Sequence, residues 1–134
     1  MKKRLLALLI LLPALLPASY FSDGIRAYKT GDYSKAKKML ELAVEQEGAE
    51  QANFLLGLIY LNGGKGVKQD LSKARMFLQK AVHFGNVRAK CYLAQAYLMS
   101  KSKDKKKILG LLKEGRDGGA NECVAIATKY NIPI

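Results

Sequence analysis

Residues 60–70 read YLNGGKGVKQD. Gly63, Gly64, Lys65 and Gly66 are the residue types that cradle a phosphate, since glycine lets backbone N–H groups approach an anion and lysine adds charge. A Walker loop, however, needs G-x-x-x-x-G-K-[ST] running straight into a helix. With Gly64-Lys65 as its end, the first glycine would fall on Ile59 and the Ser/Thr on Gly66. A dinucleotide fingerprint fails as well, because no strand pattern precedes the glycines. The stretch reads instead as a bend in which Asn62, Gly63 and Gly64 end one helix in left-handed conformations.

The other candidates for chemistry are sparse. His83 is the only histidine. It has no second histidine and no cysteine pair at ligand spacing, so no metal site is expected. No activated serine accompanies it, and it reads as a solvated side chain near a helix C-terminus, where positive charge is favourable. No acid/base pair or nucleophile constellation emerges, so the expectation is a non-enzyme with no cofactor. Lys101, Lys103, Lys105, Lys106 and Lys107 crowd one loop. They could grip an anionic surface, although such runs ordinarily form a solvated face.

The elements that position these residues follow from an internal repeat. Asp32-Tyr33-Ser34-Lys35-Ala36 returns as Asp70-Leu71-Ser72-Lys73-Ala74, and in degraded form as Asp104-Lys105-Lys106-Lys107-Ile108; the offsets are 38 and 34 residues. Four residues beyond each Ala or Ile stands Leu40, Leu78 or Leu112, and seven beyond stands Ala43, Ala81 or Gly115. Steps of four and three share one helix face. Each Asp falls where an N-cap belongs. These B helices are expected at 33–46, 70–84 and 104–116. A second series, Gly57 with Tyr60, Ala94 with Tyr97 and Ala127 with Tyr130, marks A helices at 49–61, 87–99 and 120–130, with a looser first copy at 19–30. The small residue admits a neighbouring helix, and the tyrosine fills the groove while keeping its hydroxyl near a partner. The fold class is therefore all-α: an α-solenoid of about three helix-turn-helix units plus a C-terminal capping helix, because one unit cannot bury its apolar face alone.

The first eighteen residues have a different organisation. Lys2, Lys3 and Arg4 precede the apolar run Leu5–Leu12; Pro13 and Pro17 then break it near small residues. This is the layout of a secretory signal peptide, cleaved after about residue 18. An uncleaved anchor is the alternative, but the run is shorter than the ~20 residues of a spanning helix. The domains are thus a leader at 1–18 and a repeat domain at 19–134, with a periplasmic or secreted product. Removing the leader's three basic residues from the chain's 23 leaves 20 against 11 acidic ones, a net charge of +9. That charge suits anionic lipid, acidic glycan or an acidic protein patch; export argues against nucleic acid.

The string Ala52-x4-Gly57-x2-Tyr60-x2-Gly63-x-Lys65-Gly66-Val67-x2-Asp70-x2-Lys73-Ala74-x5-Lys80-Ala81-x3-Gly85-Asn86-x2-Ala89 resembles a Sel-one-like repeat of the tetratricopeptide superfamily. The first unit, with Ala27-Tyr28 and Gly31-Asp32-Tyr33-x2-Ala36, looks closer to a plain tetratricopeptide unit, and the third is degenerate. The resemblance implies an α-solenoid acting as a protein-binding scaffold, with no catalytic site. Its expected binding surface is the concave face, with Asn53, Tyr60, Lys90, Gln95 and Tyr97 as candidates; of these the tyrosines read rather as core. Cys91 and Cys123 begin adjacent A helices, so a disulfide tying down the capping helix and a pair of buried thiols are both open readings. The cysteine-rich members resembled here pair cysteines eight residues apart, a spacing this chain lacks. The functional expectation is an adaptor for another protein or peptide, the alternative a basic envelope factor binding anionic lipid or cell-wall glycan. The oligomeric state is not legible.

Overall fold

The computed structural model describes residues 19–134; the leader expected at 1–18 lies outside the described residues. Seven helices follow in order: α1 (Tyr20–Lys29), α2 (Tyr33–Glu47), α3 (Ala52–Asn62), α4 (Leu71–His83), α5 (Val87–Met99), α6 (Lys105–Asp117) and α7 (Asn121–Lys129). The odd helices are the A series and the even ones the B series. The helices α1, α3 and α5 each pack on the B helix of their own unit, and α3, α5 and α7 pack on the preceding B helix. The architecture is an all-α solenoid of three helix pairs closed by α7.

Local chemistry explains the boundaries. Asp32, Asp70 and Asp104 cap the three B helices, their carboxylates accepting from the amides of Lys35, Lys73 and Lys107 at 3.0–3.1 Å. Each carboxylate satisfies a first-turn N–H that has no helical partner. Ser19 and Asn86 do the same for α1 and α5. The α3 helix starts at Ala52 rather than residue 49, because Ala49–Asn53 closes as a turn, with the amides of Ala52 and Asn53 donating to the carbonyls of Ala49 and Glu50.

The α3–α4 connection is a bend. Gly63 ends α3 at φ 64°, and a Cβ there would sit 2.9 Å from the backbone nitrogen of Gln69. Gly64 and Val67 exchange a pair of backbone hydrogen bonds, the Gly63 amide donates to Ile59 O, and the Asp70 amide to Tyr60 O. Val67 folds into the core. These amides are spent inside the bend, which is how a connection made of glycine keeps a fixed shape.

The core repeats with the sequence. Leu40, Leu78 and Leu112 are each fully buried, one per B helix. Leu40 and Leu78 reach the A helix at a glycine: a Cβ on Gly24 would lie 2.7 Å from Leu40, and one on Gly57 2.6 Å from Leu78. One apolar cluster runs from α1 into α5, and a second gathers α5, α6 and α7 around Cys91, Leu112, Cys123 and Ile126.

Candidate functional site

Because consecutive helices run antiparallel, the A–B bends all lie along one edge of the stack and the B–A bends along the other. The tyrosines near the ends of the A helices stand on the A–B edge. Tyr60 is buried; its hydroxyl donates to Glu41 Oε1 at 3.0 Å, and its ring stacks on Phe77 at 5.7 Å. Burial and the Glu41 carboxylate push its phenol up to about 12, so it stays a neutral donor at any physiological pH. Lys37 of α2 and Lys73 of α4 place their ammonium groups 5.9 and 5.2 Å from the ring centre.

One repeat later the arrangement returns. Arg75 of α4 and Lys107 of α6 lie 5.4 and 4.8 Å from the ring of Tyr97. Arg75 also donates to Ser100 Oγ at 2.9 Å, which holds its guanidinium in place. Counted from the capping Asp, the flanking cations occupy equivalent positions. Lys73 and Lys107 stand three residues after their own cap; Lys37 and Arg75 stand five after the cap of the preceding unit. Each tyrosine therefore sits between a cation of its own B helix and one of the B helix before, within cation–π distance.

The five candidates assigned to the concave face do not form one open surface, which corrects the grouping made from the sequence. Asn53 is wholly buried; its side-chain amide donates to the carbonyl and carboxylate of Glu50. Its place on α3, a helix buried nearly all round, puts it inside the stack. Tyr60 is core for the same reason. Lys90 pairs with Glu114 of α6 at 2.8 Å. Gln95 is half-buried, and Tyr97 faces the A–B edge between its two cations.

The lysine loop lies on that same edge. Lys101, Lys103, Lys105, Lys106 and Lys107 are all exposed. Lys101 turns the chain at φ 55°, and Lys107 leaves the group to cover Tyr97. A groove of about 430 Å³ opens one unit away, lined by Lys37, Tyr60, Lys68, Asp70 and Lys73. His83 lies on the opposite edge, edge-on to the ring of Phe84. Among the described residues, no group of three or more His, Cys, Asp or Glu side chains is placed to hold a metal ion.

Cys91 of α5 and Cys123 of α7 are joined in a disulfide with an S–S distance of 2.09 Å, and both are fully buried. The bridge lies over Gly115 of α6, where any Cβ would collide with the Cys123 sulfur and press tightly on that of Cys91. Gly115 holds the position that Ala43 and Ala81 hold in the earlier units. Arg88 and Glu122 form a second tie between α5 and α7. Their hydrogen bond is the chief reason the Arg88 guanidinium holds its proton more tightly than usual.

The model of the Sel1 repeat family matches residues 18–47 and 50–83. The chain carries two Sel1 repeats. The matches cover the α1–α2 and α3–α4 pairs. The first unit, which looked closer to a plain tetratricopeptide unit, is thus a Sel1 repeat too; the α5–α6 pair lies outside both matches. No curated protein and no solved structure matches the chain. Sel1 repeats are generally protein–protein interaction modules, and a protein or peptide partner follows for this chain in the same general sense.

Proposed function

We propose that this Sel1-repeat protein is an exported, non-enzymatic adaptor that holds another protein in the bacterial periplasm or envelope. The observation that carries the reading is the stack itself: two matched Sel1 repeats continue into a third helix pair, and α7 closes the end through the Cys91–Cys123 bridge. A closed repeat stack presents a continuous surface with no buried reaction centre, the form suited to holding a partner. The leader at 1–18 supports export, and a buried disulfide suits an oxidising compartment. The tested expectation is recovery of one protein. Tagged protein lacking residues 1–18, incubated with its own cell envelope under mild crosslinking, retains a single near-stoichiometric protein in ~0.15 M salt, where exposed charges are screened beyond about 8 Å. Recovery of lipid or glycan alone, lost as salt rises, defeats the adaptor reading.

A further inference from the structure

We infer that the A–B edge is a docking site for an acidic, extended segment of the partner protein, an assignment that rests on the adaptor reading and names where and how the partner is held. The first support is charge segregation. Lys65, Lys68 and Lys73 at the α3–α4 bend and the lysines of residues 101–107 at the α5–α6 bend are exposed on one edge. Of the carboxylates at or beside that edge, Asp32, Asp70 and Asp104 are each engaged by a first-turn amide, and Glu41 by the Tyr60 hydroxyl. Among the described residues the ion pairs are Arg26–Asp23, Arg88–Glu122, Lys90–Glu114 and Arg116–Asp117, and none uses a lysine of this edge. Glu47, Glu50, Asp117 and Glu122 gather instead at the opposite edge, at or beside the B–A bends.

The second support is shape. The cations are not only a fringe of mobile side chains. Arg75 is held by Ser100 and by the Tyr97 ring, so less order is lost when it binds a carboxylate in a forked geometry. The groove beside Tyr60 lies between Lys37, Lys68 and Lys73, with the capping Asp70 also in its lining. A planar headgroup layer reaches the tips of exposed lysines but not the groove; a single side chain on an extended strand reaches both. The cation–tyrosine–cation arrangement occurs at Tyr60 on α3 and again at Tyr97 on α5. An extended chain advances about 3.3 Å per residue, so a peptide with an acidic residue at every third position offers a carboxylate about every 10 Å along the edge.

The test uses the protein lacking residues 1–18 and a fluorescein-labelled peptide of repeated Glu-Ser-Gly, read by anisotropy. Replacing the pair that flanks Tyr97 (Arg75→Gln with Lys107→Gln) is expected to weaken peptide binding roughly five- to tenfold. The same loss of charge at the C-terminal halves of α4 and α6 (Lys80→Gln with Lys113→Gln) is expected to weaken it less than about twofold. Equal losses from the two variants, or no binding of the peptide, overturn the assignment. Vesicles of phosphatidylglycerol in phosphatidylcholine that bind more tightly than the peptide also overturn it, in favour of a membrane. The envelope recovery described above separates the two readings. A protein retained equally by both variants leaves the adaptor standing and removes the edge. Peptide binding that depends on Arg75 and Lys107, with no envelope protein recovered, keeps the edge and removes the adaptor.

Discussion

The second and third units have the same helix order but are held together differently. In the second, Gly57 brings α3 against α4 until Leu78 fills the space a side chain would need. In the third, the matching position is Ala94, the loop glycines are replaced by Lys101-Ser102-Lys103, and the small residue of the B helix has shrunk to Gly115. The room gained at Gly115 is taken by a disulfide that belongs to no single unit but joins α5 to α7. The second unit is thus stabilised by close helix contact within itself. The third is stabilised by a covalent tie to the cap beyond it. In a repeat stack, where each unit leans on its neighbours, a weakened terminal unit is the one that benefits most from such a tie.

The largest effect should come from cutting it. The bridge closes a loop with a sequence separation of 32, for which chain entropy alone gives about 3–4 kcal/mol. Replacing Cys91 and Cys123 by serine should lower stability by about that amount. Hydrogen exchange should locate the loss: protection should fall in α5–α7 and persist in α1–α4. Uniform loss across all seven helices would show that the third unit is no more dependent on the bridge than the rest.

Glycine substitutions sharpen the same contrast. Gly57→Ala should cost about 1–3 kcal/mol by overpacking against Leu78. Gly115→Ala should cost at least as much in the bridged protein, and much less once both cysteines are alanine, because the colliding atoms are then gone. Chemical denaturation of the four proteins of that cycle measures the coupling directly. Additive effects would mean that Gly115 is small for some reason other than the bridge.

Most of the helical framework was open to sequence reasoning because it depends on period and caps. The Asp-Lys-Ala strings placed three B helices within about a residue of their observed ends, and each Asp caps as its type and position require. The surface was harder to read. The repeat pattern places Asn53 and Tyr60 on a concave face of A helices; yet α3 is enclosed nearly all round, where Glu50 takes the Asn53 amide N–H groups and Glu41 the Tyr60 hydroxyl, and Asn53 Oδ1 is buried without a hydrogen-bond partner. The cations around Tyr60 and Tyr97 could have been found from the recurring positions three and five residues after each cap. That signal lay in the repeat itself, but it needed a second repeat in register to show that cations from successive B helices meet at one ring.

The caps offer a smaller test of the two units. Asp70→Ala and Asp104→Ala each remove one acceptor from a first turn and should each cost about 1 kcal/mol. Asp70 follows a bend fixed by backbone bonds, including one from its own amide to Tyr60 O. Asp104 follows a bend whose last steps, Ser102 to Lys105, are held by Ser102 Oγ and by the Lys103 carbonyl. The α6 helix should therefore fray further than α4 for the same substitution, seen as lost protection at Lys105–Lys107. Equal fraying would mean the shorter bend is as firm as the glycine one.

The smallest effect concerns the second tie to the cap and its response to acid. Glu122 lies in the first turn of α7, where its own backbone amide and then the Arg88 guanidinium hold its carboxyl below the ordinary value of 4.5. A carboxyl depressed in the folded state stabilises the fold above its unfolded value, and the contribution fades as pH falls through the folded value. The window is therefore acidic, beginning near 4.5 and extending downward. Both partners are partly exposed, so the tie is worth only about 0.2–1 kcal/mol. Wild-type protein should melt slightly above Glu122→Gln at pH 7, and the gap should close as pH falls below 4.5. The gap should also be larger in protein whose disulfide has been reduced, because Arg88–Glu122 is then the remaining polar tie from α5 to α7. A gap independent of both pH and reduction would show that the cap is held by its apolar contacts alone, through Ile126 and Ala127.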